Sequence, residues 1–167
     1  MTDSRGHAID DSLVTVLGKV PLFAGLSRLQ LVFLLGAASR VVIPADQLFF
    51  DEGDSADSLY VFVAGEAVVE KRITDGWRLL ATLRPGQTVG EMAVVDRSTR
   101  SARVRAIKSC VAIRLDSAGL ESSHEIAATV YRNIAATITA RVRGYTDADD
   151  RRLEQLSLAA DRPLGGP

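Results

Sequence analysis

The chain has 167 residues, 47% of them apolar, and its 20 Lys+Arg nearly balance 21 Asp+Glu for a net charge of -1. That suits one compact domain with short extensions and argues against a generally basic nucleic-acid binder. One cysteine (Cys110) and two histidines (His7 and His124) exclude a disulfide framework, a multi-cysteine zinc site and a His-rich metal centre. No stretch approaches the roughly 20 apolar residues of a membrane helix, and residues 1–11 hold three aspartates and no apolar run. The expectation is a cytoplasmic protein with no signal peptide, no membrane insertion and no cofactor.

Residues 1–14 read as a flexible N-terminal segment, within which Asp11 or Ser12 offers a cap for a short helix through Leu17. Gly18 and Pro21 end that helix. Ser27 is a good N-cap for a second helix over residues 28–38, with Leu31, Val32, Leu34 and Leu35 at helical spacing. From residue 39 the pattern changes to short β-branched and aromatic runs at 41–43, 47–50, 59–63, 67–73, 77–83, 101–107 and 111–115. Turn residues separate them, and Asp75-Gly76 is the strongest hairpin signal. Strands at this spacing suggest a sandwich, barrel or jelly roll.

After Asp116 the pattern is helical again. Residues 117–143 lack proline, and their apolar stripe is Ile126, Val130, Ile134, Ile138 and Val142. Gly144 reads as the stop of this helix. Thr146, followed by Asp147, Asp149 and Asp150, reads as the cap of a final short helix to about Ala159. The class is therefore α+β, with a domain over residues 15–143 and a short helix and tail over 144–167.

One segment carries chemistry. Gly90 allows close backbone approach, and Glu91 to Val95 form a short helical turn whose free amides converge on one spot. Arg100 opens the next strand and returns to that spot with a planar donor fork. Ala102 lies on the same strand face and leaves room for a ligand. Arg103 and Arg105 have the opposite parity and are expected to point to solvent.

The motifs Val89-Gly-Glu-Met-Ala93 and Arg100-Ser-Ala102 resemble the phosphate-binding cassette of cyclic nucleotide-binding domains. PLFAGLS at 21–27 and DEGDSADSLYVFVAGEAVV at 51–69 extend the resemblance to about residues 15–143. The resemblance implies an eight-stranded antiparallel jelly-roll β-barrel (double-stranded β-helix), flanked by N-terminal helices and a long C-terminal helix. It implies that Glu91 accepts from the ribose 2′-hydroxyl and that Arg100 pairs with the cyclic phosphate. It also implies that the amides of Met92, Ala93 and Ala102 reach phosphate or ribose oxygens and that Ser101 faces base or phosphate. Val69 and Leu83, with Val89, are the implied wall of the base pocket. Tyr131, Asn133, Arg141 and Tyr145 are candidates to cap the base. Val89 stands where the family usually has an aromatic residue, and Arg103 where Thr, Ser or Asn is common.

The function so implied is a cyclic nucleotide sensor, cAMP before cGMP, signalling by movement of the C-terminal helix. The partner is the nucleotide, with a homodimer through that helix or a separate effector protein as the output. Residues 145–167 are too few for a winged helix-turn-helix, so direct DNA binding is not expected. The alternative is a degenerate interaction or dimerisation module of the same fold, for which Val89 and Arg103 are the sequence support. An enzyme is not expected, because clustered histidine ligands are lacking and no Ser/His/Asp triad is indicated.

Overall fold

The computed structural model describes residues 11–160, with the backbone alone for 145–160. Helix α1 (Asp11–Leu17), a 3-10 turn (Pro21–Phe23) and α2 (Arg28–Gly36) open it. The Ser27 hydroxyl accepts from the Gln30 amide at 3.3 Å while Gln30 Oε1 accepts from the Ser27 amide at 2.9 Å, so a capping box starts α2.

Eight strands follow: β1 (Ser39–Ile43), β2 (Leu48–Phe50), β3 (Ser58–Ala64), β4 (Ala67–Ile73), β5 (Gly76–Leu83), β6 (Thr88–Val89), β7 (Arg103–Ala106) and β8 (Cys110–Asp116). They form two four-stranded sheets, in the orders β1-β8-β3-β6 and β2-β7-β4-β5, and every pairing is antiparallel. This is the expected jelly roll. Its core joins inward residues of both sheets: Phe62, Val89 and Cys110 from one, Ala67, Leu83, Val104 and Ala106 from the other. Alternation points these side chains between the two sheets.

The β3–β4 connection depends on Gly65. Its φ is +89°, and a Cβ there would lie 2.3 Å from the Ser109 carbonyl oxygen and 2.6 Å from the Cys110 Cα. No other residue fits that approach.

Helix α3 (Glu91–Asp96) lies between β6 and β7, and α4 (Ser117–Glu121) and α5 (His124–Ala160) follow β8. Two helical expectations need correction. The single helix over 117–143 is two helices. The Asp116 side chain caps α4 by accepting from the Gly119 amide at 2.8 Å. The Ser122 amide and hydroxyl then both return to the Gly119 carbonyl, closing α4, and the Ser123 carbonyl accepts from Ala127 to open α5.

The expected stop at Gly144 and fresh cap at Thr146 are absent, because α5 continues to Ala160. Gly144 does not take the left-handed conformation a glycine stop requires. One glycine inside a helix costs only about 1 kcal/mol relative to alanine, too little to break a 37-residue helix.

The chain falls into two units, divided between Ile134 and Ala135. In the first, Ile126, Val130 and Ile134 are buried, and Asn133 Nδ2 donates to the carbonyls of Leu22 (2.9 Å) and Ala24 (2.8 Å). In the second, Val142 is exposed. No helix among the described residues is long and apolar enough to cross a membrane.

Candidate ligand-binding site

Arg100 organises the site. It lies before β7 rather than opening it, because its backbone is taken by the loop after β2. The Gly53 amide donates to the Arg100 carbonyl, and the Arg100 amide donates to the Asp54 carbonyl, each at 2.9 Å. Strand pairing thus starts at Arg103, and the expected run over 101–107 shortens accordingly.

The Arg100 side chain turns inward and is only 4% exposed. Its guanidinium carbon sits 4.0 Å from the Phe50 ring centroid and 5.9 Å from that of Tyr60. Nη1 donates to the Gly90 carbonyl and Nη2 to the Ser58 hydroxyl, both at 3.3 Å. These are long bonds to neutral oxygens. Nε is buried with no hydrogen-bond partner. Burial pushes the guanidinium below its ordinary pKa, against the opposing influence of Tyr60 and Asp57. The residue nonetheless stays cationic at any ordinary pH.

Gly90 ends β6 in the left-handed region, with φ +88°. A Cβ at this position would lie 2.4 Å from Arg100 Nη1 and 3.1 Å from the Ser58 carbonyl oxygen. Bare backbone is what admits the guanidinium. Glu91 begins α3 and is 2% exposed, and its Oε1 accepts from the Thr88 hydroxyl. Ala93 and Ala102 are buried, Met92 is half-exposed and Ser101 is exposed.

Leu83 and Val89 belong to the core cluster, and Val69 packs against it with Phe50 and Tyr60. The residues expected to wall the base pocket therefore share one apolar body with the rings beneath Arg100. Of the candidate capping residues, Asn133 is committed to Leu22 and Ala24, and the Tyr131 hydroxyl donates to Glu121 at 3.0 Å. Arg141 is exposed in the second unit, and the side chain of Tyr145 lies outside the described residues.

Arg103 and Arg105 correct another expectation. Both occupy the outer face, as parity requires, but they are not simply solvated. Arg103 Nε donates to Glu70 at 2.8 Å, and its guanidinium lies 3.6 Å from the Trp77 ring centroid. Arg105 donates to the other Glu70 oxygen at 3.4 Å. Burial raises the Glu70 carboxyl, but hydrogen bonds from the two arginines outweigh it and hold the group below its ordinary value.

Ser58, Thr88, Phe50 and Tyr60 are site residues that sequence reasoning missed. None carries a spacing signal. Ser58 reaches Arg100 across 42 positions of sequence, a proximity set by sheet register alone. No group of three or more His, Cys, Asp or Glu side chains able to hold a metal occurs among the described residues.

The geometry is a buried cation beside a glycine-led helical turn, on the wall of a jelly-roll core. Known proteins resemble the chain in sequence and fold. The family model for the cyclic nucleotide-binding domain matches residues 40–125. An uncharacterized NTE family protein of Mycobacterium tuberculosis is 32% identical over 101 residues, covering 60% of this chain and 17% of that protein. The cyclic AMP receptor protein of Thermus thermophilus is 29% identical over 124 residues, covering 74% of this chain and 57% of that protein. The regulatory domain of Toxoplasma gondii PKA, solved with cAMP, superposes with a TM-score of 0.64 at 26% identity, over 68% of this chain and 45% of that one. The chain thus spans less than two thirds of the length of each of these relatives. With the cassette, the jelly roll and the family match in agreement, the chain belongs to the cyclic nucleotide-binding domain family.

Proposed function

We propose that this chain is a non-catalytic sensor module that binds a cyclic nucleotide, cAMP before cGMP. The observation that carries the reading is Arg100: a guanidinium buried to 4% exposure, with an unpartnered Nε and only neutral acceptors on its terminal nitrogens. Such a cation is costly to bury without an anion. A cyclic phosphate supplies one.

In this reading Arg100 pairs with the phosphate. Glu91 accepts from the ribose 2′-hydroxyl, and the amides of Met92, Ala93 and Ala102 surround the phosphate and ribose oxygens beside Gly90. Ser101, which is exposed, borders the ligand. Val69, Leu83 and Val89 back the base. Occupancy shifts the population of α4 and α5 conformations, and the output passes to a second copy through α5 or to a separate effector. The non-binding alternative gains nothing from its two sequence departures: Val89 fills the core, and Arg103 is engaged by Glu70 and Trp77 outside it.

Calorimetric titration with cAMP and cGMP tests this, beside Arg100→Ala. Loss of a charge-assisted phosphate contact weakens binding by about ten- to hundredfold, the equivalent of roughly 1.5–3 kcal/mol. Equal affinity in the variant, or no binding by the unaltered chain, overturns the reading.

A further inference from the structure

A second cation, Lys71, bonds the residue that follows Arg100. Lys71, on β4, has the inward parity of Ala67 and Val69, which belong to or pack against the core cluster. The register continues this placement: Glu70 pairs with Arg103, so Lys71 lies level with the chain just before β7. Its ammonium donates to the Ser101 carbonyl at 2.6 Å and to Glu52 Oε1 at 2.8 Å. Glu52 is held in turn, since its other oxygen accepts from the Arg72 amide at 2.9 Å. Hydrogen bonds from Lys71 and from that amide keep the Glu52 carboxyl below its ordinary value.

A lysine ammonium has three N–H groups and no acceptor. Two are engaged here, one of them one residue from Arg100, and the side chain is 43% exposed. The other two bonds orient the third N–H, and the side chain's partial exposure leaves room for a ligand acceptor to reach it. A ligand whose phosphate lies on Arg100 and whose base lies along the inward residues of β4 passes it.

The two purines answer this donor differently. Guanine presents two adjacent acceptors, O6 and N7, whereas adenine presents N7 beside the N6 amino group, itself a donor. We infer that Lys71 is a specificity-determining residue that admits guanine to the site and narrows its preference for adenine. The inference rests on the cyclic nucleotide reading above and deepens it.

The test is calorimetric titration of the full chain with cAMP and cGMP, for Lys71→Met, Lys71→Arg and the unaltered protein. Methionine keeps the length of the side chain and removes the donor; arginine keeps a donor. Lys71→Met lowers cGMP affinity by about tenfold or more, as loss of one hydrogen bond from a charged group requires, and leaves cAMP affinity within about twofold. Lys71→Arg retains most of the cGMP affinity. Thermal melts without ligand establish that both variants are folded, which the partial exposure of Lys71 favours.

Equal loss for both nucleotides means that Lys71 acts on the shared phosphate or on the shape of the site, and overturns the inference. An unchanged ratio also overturns it while leaving the cyclic nucleotide reading intact. Failure of the unaltered chain to bind either nucleotide overturns that reading, and this inference with it.

Discussion

Arg100 is stored against Phe50 and Tyr60 by two long hydrogen bonds to neutral oxygens. Removing a guanidinium from water costs several kcal/mol, and such bonds return little of it. Arg100→Met should therefore leave the unliganded chain at least as stable as before, since methionine packs on both rings. The same change should cut thermal stabilisation by nucleotide from about 2.7 kcal/mol, at a hundredfold excess over the unaltered Kd, to roughly 0.4–1.4 kcal/mol at the same concentration. Melting curves with and without cAMP measure both effects, and a large loss of stability without ligand would refute the first. On the outer face, Glu70 acts in the opposite sense, as a carboxylate stabilised by Arg103 and Arg105. Its pKa is lowered on folding from the ordinary 4.5. Its contribution is therefore fully present above that value and is lost as the pH falls through the folded one. Glu70→Gln should lower stability at pH 7 and flatten the decline below about pH 4.5; parallel pH–stability curves for the two proteins would contradict the assignment.

At the scale of elements, identical residues do different work. Gly65 holds φ +89° with backbone atoms 2.3 and 2.6 Å from where a Cβ would sit. Gly144 lies in a helix with nothing within 4 Å. Gly65→Ala should cost more than about 2 kcal/mol, because the β3–β4 turn and the start of β8 must separate. Gly144→Ala should gain up to about 1 kcal/mol of helix stability. Urea unfolding of the first variant and helical circular dichroism of the second check the pair, and equal effects would refute the contrast. Gly144 also shows why a helix end is hard to read from residue identity. A glycine stops a helix only where the chain turns left-handed, and here it does not.

For the molecule as a whole, the proposed function makes the long helix the connection between sensor and output. Ile126, Val130 and Ile134 are buried, while Val142 is exposed. A four-residue spacing on a helix of 3.6 residues per turn precesses by about 40° per step, so one stripe cannot stay on one face for its full length. In the proposed mechanism, saturating cAMP slows amide exchange in α4 and the first turns of α5 as well as in residues 90–102. Hydrogen exchange followed by mass spectrometry reads this directly. Protection confined to the cassette would mean that binding is not transmitted through these helices.

The strands were legible in the sequence because alternation has a fixed period and turn residues mark the breaks, as Asp75-Gly76 does: the turn falls on Thr74-Asp75 and Gly76 opens β5. The cassette was legible because Gly90, Glu91, Arg100 and Ala102 lie within one short segment, where chemistry and local backbone coincide. Other features arose only on folding. Ser58 and Gly90 accept from Arg100, Phe50 and Tyr60 lie beneath it, Glu70 gathers two arginines, and Lys71 meets Ser101. Each of these contacts joins residues from different elements, so strand register and sheet closure determine it. The sequence by itself determined which segments bury their apolar faces and where the short glycine-led helical turn at residues 90–96 forms. Only the tertiary structure decided which polar groups meet across the sheets, because hydrogen bonds act over a few ångströms and sequence separation carries no such distance.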